Sequence, residues 1–214
     1  MRLKHKLSIW DSVYSSDAAY FGYEPSVLAK ESLRFFDENQ CKKILELGCG
    51  QGRDTIFLAR NGLKIHAVDA SAISVAQLKE KVAGLELDGD VKISLMDLPR
   101  QFPAIEQVDA VYSHLFYCMP FDDQGLKSLF DFTRKILHKN GLHVFSVRDK
   151  KADKSFGKGK EIGKDTFDIN GFKVRFFTKE EILWFNQGFE ILEVKEAYEE
   201  PCSLILIFSK LSDI

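Results

Sequence analysis

The stretch ILELGCGQGRDTIFLARNG, residues 44–62, decides how this chain folds. KILEL (residues 43–47) is an apolar run of strand length that enters three closely spaced glycines, Gly48, Gly50 and Gly52. DTIFLARN then has helical periodicity and stops at Gly62, a residue suited to the left-handed position that ends a helix. Three glycines between a strand and a helix let the backbone bend sharply and leave its N–H groups open to a ligand, because no Cβ stands in the way. The next apolar run, KIHAV (residues 64–68), ends at Asp69, where a carboxylate can accept hydrogen bonds from both hydroxyls of a ribose. A bound nucleoside is the reading that the glycines and Asp69 share.

Outward from this stretch, residues 43–145 alternate strand-length apolar runs with helical periodicity, the pattern of βαβ units and a parallel sheet. Ser71 can cap a helix through Val75, Leu78 and Val82, and VKISL (91–95) and VDAVYS (108–113) read as two further strands. Asp122 opens a helix bearing Leu126, Leu129, Phe130, Thr133, Ile136 and Leu137, which Gly141 is expected to end before a fifth strand, LHVFSV. Residues 148–164 then hold seven basic residues (Arg148, Lys150, Lys151, Lys154, Lys158, Lys160, Lys164) against Asp149, Asp153 and Glu161, with Gly157, Gly159 and Gly163 between them, and read as a mobile loop. TFDINGFKVRFFT reads as a hairpin turning at Asn170-Gly171. Thr178 and Glu181 make a capping box for KEEILWFNQ, which Gly188 stops, and FEILEVKEAY and SLILIFS follow as antiparallel neighbours.

The 214 residues suffice for one large domain. With 45% hydrophobic and 29% charged residues the composition is globular, not disordered. Thirty Lys+Arg against 32 Asp+Glu give a formal net charge of −2, so no overall excess of cations exists to hold a polyanion, and a nucleic-acid partner is disfavoured. Cys41, Cys49, Cys118 and Cys202 lie far apart, with no CxxC pair and no zinc spacing, so neither a disulfide framework nor a metal is expected. No apolar run approaches the roughly 18 residues of a membrane span, and a reduced, cytoplasmic protein is the expectation.

Spacing and charge narrow the nucleoside. A dinucleotide fingerprint GxGxxG would put its third glycine at position 53, which is Arg53, and the pattern here is GxGxG. Glu46 precedes it, a charge that suits a cationic ammonium or sulfonium ligand and opposes a pyrophosphate. Glu46-Leu47-Gly48-Cys49-Gly50-Gln51-Gly52 resembles the first motif of class I S-adenosylmethionine-dependent methyltransferases, and Asp69 matches their second. GRDTIFLARNGLKIHAVDAS is similar to the tellurite-resistance and thiopurine-type branch of that family, the likeness covering residues 41–146. It implies an α/β, Rossmann-like fold with a seven-stranded, mostly parallel sheet, helices on both faces and an antiparallel last strand. The chain would then be a single methyltransferase domain: an N-terminal cap or lid (1–40), a cofactor-binding core (41–146), a basic loop and hairpin (147–177), and a last helix with two strands (178–214).

By the same resemblance the cofactor is S-adenosylmethionine. Gly48, Cys49, Gly50 and Gly52 would hold its methionine part, with Glu46 meeting the ammonium. Asp69 would hold the ribose, Ala70 and Ser71 would flank the adenine, and Asp97, with Leu98 beside it, would accept a hydrogen bond from the adenine amine. Ser113 and His114 would lie beside the transferable methyl, and His114 and Tyr117 are the candidate catalytic groups. The N-terminal segment with Trp10, Tyr14, Tyr20, Phe21 and Tyr23 would close over the site as a lid, with Trp10, Tyr14 and Tyr20 as its candidate residues. Cys49 and His143 have simpler structural readings, as a packed thiol and a strand residue, and Pro201-Cys202 stands in the wrong place for a nucleophile. SHLFYCMPF lacks the Asn/Asp-Pro-Pro-aromatic motif of nucleic-acid amino-methyltransferases and offers an aromatic, polarisable wall instead (Phe116, Tyr117, Cys118, Met119, Phe121). The expected reaction is methyl transfer to a small molecule, with soft sulfur, selenium or tellurium nucleophiles in view. The alternatives are an RNA or protein methyltransferase using the Lys-rich loop, a catalytically silent cofactor-binding protein, and a dinucleotide oxidoreductase.

Overall fold

The computed structural model describes residues 9–102 and 104–212. Two helices come first, α1 (Ile9–Ser16) and α2 (Val27–Glu38). There follow β1 (Lys43–Leu47), α3 (Arg53–Arg60), β2 (Lys64–Asp69), α4 (Ala72–Gly84), β3 (Val91–Leu95) and β4 (Val108–His114). A short 3-10 turn at Phe116–Cys118 leads to α5 (Asp123–Ile136) and β5 (Leu137–Arg148). Then come β6 (Lys160–Gly163), β7 (Thr166–Ile169), β8 (Phe172–Arg175), α6 (Lys179–Phe185), β9 (Phe189–Glu199) and β10 (Cys202–Leu211).

Seven strands form one sheet in the order β3-β2-β1-β4-β5-β10-β9. The first five run parallel, and β10 is antiparallel to both neighbours. Side chains alternate across it with the two-residue period of a strand. Ile44, Ala110, Val144 and Leu206 point into a core shared with α2, α3 and α4, and Leu45, Val111, Phe145 and Ile207 into one shared with α5 and α6. The class I methyltransferase fold implied by the resemblance is therefore the fold observed. The sheet reverses its order between β1 and β4, and in such sheets ligands sit at the carboxyl ends of the strands beside that switch. Among the described residues no helix is long and apolar enough to cross a membrane.

Two local expectations are corrected. Helix α5 ends at Ile136, not at Gly141: β5 begins at once, and its pairing with β4 slips between Val108 and Ala110. Gly141 serves close backbone approach, since a Cβ there would lie 2.9 Å from the His138 carbonyl and 3.1 Å from that of Asp109. Residues 148–164 are no free loop either. Arg148 lies in β5 and makes two hydrogen bonds to Asp153, at 2.7 and 2.8 Å, and Lys150 pairs with Asp165 at 2.7 Å. The segment ends in β6, so the expected hairpin is the inner part of a three-stranded sheet, β6-β7-β8. Its turn is Asn170-Gly171, both with positive φ (54° and 92°), as a primed hairpin turn requires.

Candidate functional site

The three glycines of the β1–α3 loop all adopt left-handed φ angles (72°, 52° and 83°), and each has a separate steric reason. A Cβ on Gly48 would stand 2.7 Å from the Phe116 ring, and one on Gly50 3.0 Å from the Tyr14 hydroxyl. A Cβ on Gly52 would lie 2.1 Å from Leu78 Cδ1, so this glycine lets α3 and α4 pack. Asp69, at the end of β2, fastens the loop. Its Oδ2 accepts from the Gly50 N–H and its Oδ1 from the Ser71 N–H, both at 2.8 Å. Burial raises the Asp69 pKa, and these N–H donors work against that rise.

Strand alternation turns Glu46 toward α3, where it is 2% exposed and accepts a 2.6 Å hydrogen bond from the Thr55 hydroxyl. Burial, then the nearby Asp54 and Asp69 charges, push its carboxyl up to about 8. Asp54 is buried beside it and takes the Ser26 N–H, the Ser26 hydroxyl and the Tyr112 hydroxyl, each at 2.7 Å. Two buried carboxyl groups, Glu46 and Asp54, thus lie side by side under the glycine loop.

The N-terminal segment covers that loop. α1 is tied to α4 by Ser71 Oγ donating to Asp11 (2.6 Å) and Gln77 Nε2 donating to the Tyr14 carbonyl (2.8 Å). Trp10 stacks on Tyr14 and meets Phe172 of β8 edge-on, with ring centroids 5.4 Å apart. Beneath lie two adjoining pockets, of about 150 and 80 Å³, that share Tyr14, Phe21, Gly48, His114 and Leu115. The larger reaches Asp69, Ala70, Met96 and Leu98, and the smaller reaches Glu46, Cys49, Gly50, Gly52 and Asp54.

Most of the residues picked from sequence thus converge, and some do not. Trp10 and Tyr14 form walls, but Tyr20 is 44% exposed and its neighbour Phe21 lines both pockets instead. Ser71 is buried as the N-cap of α4. Asp97 pairs with Arg100 at 2.8 Å and is half exposed, with Met96 and Leu98 at the wall on either side of it. Ser113 is fully buried behind the wall. Cys49 is packed, and burial drives its thiol pKa well upward.

Tyr117, a candidate catalytic group, belongs to the core. It is fully buried, stacks on Phe130, and its hydroxyl bonds His143 Nε2 at 3.0 Å. His143 Nδ1 meets Asn186 Oδ1 at 3.0 Å, so the Tyr117 proton is committed to a closed buried network. His114 does reach the site, at the junction of both pockets. Its Nδ1 lies 2.9 Å from Ser146 Oγ, which already accepts the Leu115 N–H at 3.1 Å. Its Nε2 is buried and faces Glu199 Oε1 at 3.6 Å. Phe21, one of the aromatics of the expected lid segment, is at the site, whereas sequence reasoning missed Asp54 and Glu199, whose partners stand up to 172 residues away along the chain.

Residues 44–141 match the family model described as a methyltransferase domain. The ribosomal RNA small subunit methyltransferase C of Alcanivorax borkumensis is 28% identical over 114 residues, which is 53% of this chain and 32% of that protein. The chain thus spans about a third of the curated relative it matches. Among solved structures, an S-adenosylmethionine-dependent methyltransferase from Clostridium acetobutylicum superposes with a TM-score of 0.72 at 17% identity, covering 96% of this chain and 97% of that one. TehB from Haemophilus influenzae gives 0.66 at 16% identity, over 86% and 62% of the two chains. With the glycine loop, Glu46 and Asp69 set at the switch point of the sheet, the chain has the fold of S-adenosylmethionine-dependent methyltransferases, and its residues 44–141 are similar to a methyltransferase domain.

Proposed function

We propose that the chain methylates a small molecule bearing a soft nucleophile, such as a thiol or a selenide, by in-line displacement. The carrying observation is the pair of pockets joined at Tyr14 and His114, one ending at Asp69 and the other at two buried carboxyl groups. The groups present fit S-adenosylmethionine. The glycine backbone and Glu46 would hold the methionine part, Asp69 the ribose, and Ala70, Met96 and Leu98 the adenine. Bound there, the cofactor supplies the electrophilic methyl group. The chain's own residues then contribute alignment and exclusion of water, the latter through a lid of Trp10, Tyr14 and Phe21.

The placement of His114 supports the soft acceptor. Its Nδ1 is engaged by Ser146 and its Nε2 is buried toward Glu199, so neither nitrogen is open to take a substrate's proton, and Tyr117 is out of reach. An alcohol or phenol needs a positioned proton acceptor, whereas a thiolate arrives without its proton. Leu115, Phe116 and Met119 give the wall an apolar, polarisable surface. Purified protein, radiolabelled S-adenosylmethionine and matched thiol, selenide, phenol and amine acceptors test this: product from thiol or selenide is expected, and product from phenol alone would refute it.

The similarity to a ribosomal RNA methyltransferase favours a second reading, an RNA acceptor. Against it, four of the seven cations of the basic segment are already paired: Arg148 with Asp153, Lys150 with Asp165, Lys151 with Glu180 and Lys164 with Glu181. RNA binding with a steep salt dependence would revive it. A reducing, cytoplasmic setting suits Cys41, Cys49, Cys118 and Cys202, all of them free thiols.

A further inference from the structure

Glu199 is the last residue of β9, the outer strand of the sheet, yet its carboxylate reaches inward to three other elements. Oε1 takes Arg53 Nη2, from the first residue of α3, in an ion pair. The same oxygen stands 3.6 Å from His114 Nε2 at the end of β4, and Oε2 accepts the Val27 N–H, at the start of α2, at 3.0 Å. Arg53 in turn donates from Nη1 to the Phe21 carbonyl at 3.1 Å, and its guanidinium lies over the Phe21 ring at 5.6 Å. Phe21 lines both pockets. A continuous chain of contacts thus runs from the sheet edge to the residue that covers the site.

The charges facing this cluster explain why a carboxylate is needed. The Arg53 side chain is only 18% exposed, and its other acid, Asp54, stands 3.9 Å from Nε with its oxygens already taken by Ser26 and Tyr112. Without Glu199 the largely buried guanidinium would keep only the more distant Asp54 as counter-ion, and its shortest relief would be to swing toward solvent and release Phe21. His114 Nε2 is buried with no hydrogen-bond partner among the described residues, and the Glu199 oxygen at 3.6 Å faces it there.

We infer that Glu199 is a positioning residue: by holding Arg53 it keeps Phe21 closed over the methionine end of the pocket. This rests on the cofactor reading for its functional meaning, but the closure itself can be measured without cofactor. Trp10 packs on Phe21 at a centroid distance of 6.0 Å and reports the lid, and the only other tryptophan, Trp184, is 60% exposed on α6. In a Trp184→Phe background, Glu199→Gln keeps the shape and the Val27 hydrogen bond but removes the charge. Glu196→Gln, at an exposed position on the same strand, is the control.

The expected result is greater acrylamide quenching of Trp10 in cofactor-free Glu199→Gln than in the control, and S-adenosylhomocysteine affinity weakened about tenfold, the scale of one charge-assisted hydrogen bond. Melting temperatures of the two variants should agree within a few degrees. Quenching and affinity equal to the control would overturn the inference and leave Glu199 a tie between β9 and α2. Should Glu199→Gln not fold, Arg53→Lys, which keeps the charge but loses the fork to Phe21, must show the same rise in quenching, and its absence would equally overturn the inference. Wild-type protein that binds no S-adenosylhomocysteine would refute the cofactor reading, and the quenching comparison would still decide the role of Glu199.

Discussion

Glu46 shows how far a single residue can be understood from sequence and where that ends. Its place before the glycine loop implied an acid at the ammonium end of the site, but only the alternation of β1 reveals that it is buried against Thr55 and beside Asp54. With its pKa pushed up to about 8, the Glu46 carboxyl is largely protonated at neutral pH, and an arriving ammonium favours the charged form. Cofactor binding at pH 7 should therefore release a proton. Titrations of S-adenosylhomocysteine in buffers of different ionisation enthalpy read this directly, and Glu46→Gln should abolish the release. The linkage to folding has a definite sign: the folded state binds this proton more tightly than the unfolded chain. The resulting stability is present below about 4.5 and lost as pH rises through about 8, so Glu46→Gln should gain on wild type over that interval in melting experiments. Asp69→Ala should weaken cofactor binding by about 1–3 kcal/mol, the cost of unpaired buried hydroxyls, and an unchanged dissociation constant would show the ribose lies elsewhere. Gly52→Ala combines a left-handed φ with a Cβ 2.1 Å from Leu78, and its melting temperature should fall sharply.

At the scale of elements, legibility followed the range of the forces involved. The Asn170-Gly171 turn and the Thr178–Glu181 capping box are decided within four residues, and both are present as read. The end of α5 was misplaced because two long-range facts outweigh the local glycine: β5 must start at Leu137 to pair with Val108, and Gly141 is claimed by the close approach of Asp109. The segment 148–164 looked mobile from its lysines and glycines. Its order comes from Asp153, which pairs with Arg148 and also accepts the Ser203 N–H at 3.2 Å from β10, a partner about fifty residues away. The hairpin tip has a consequence of its own. Phe172 packs on Trp10, and a Cβ on Gly171 would sit 2.8 Å from Ile9 Cδ1, so the inserted sheet braces α1. Phe172→Ala should speed proteolytic cleavage between residues 9 and 21 while leaving the seven-stranded sheet intact by circular dichroism; cleavage at the wild-type rate would show that α1 stands without this brace.

At the scale of the whole molecule, the fold was readable because the glycine loop, Asp69 and the alternating strands all point to one sheet. The bottom of the site was not. Glu199, Asp54 with Ser26, and Phe21 with Arg53 are joined only by tertiary contact, and Asp97 and Tyr117, placed by motif position, turn away to Arg100 and His143. The central claim is that the paired pockets of this fold take S-adenosylmethionine and not a dinucleotide. Calorimetric titration of the purified chain with S-adenosylhomocysteine and, separately, with NAD tests it most directly. Binding of the former at roughly micromolar concentration, about −8 kcal/mol, with no heat from NAD is the predicted result; binding of NAD, or of neither, would contradict it.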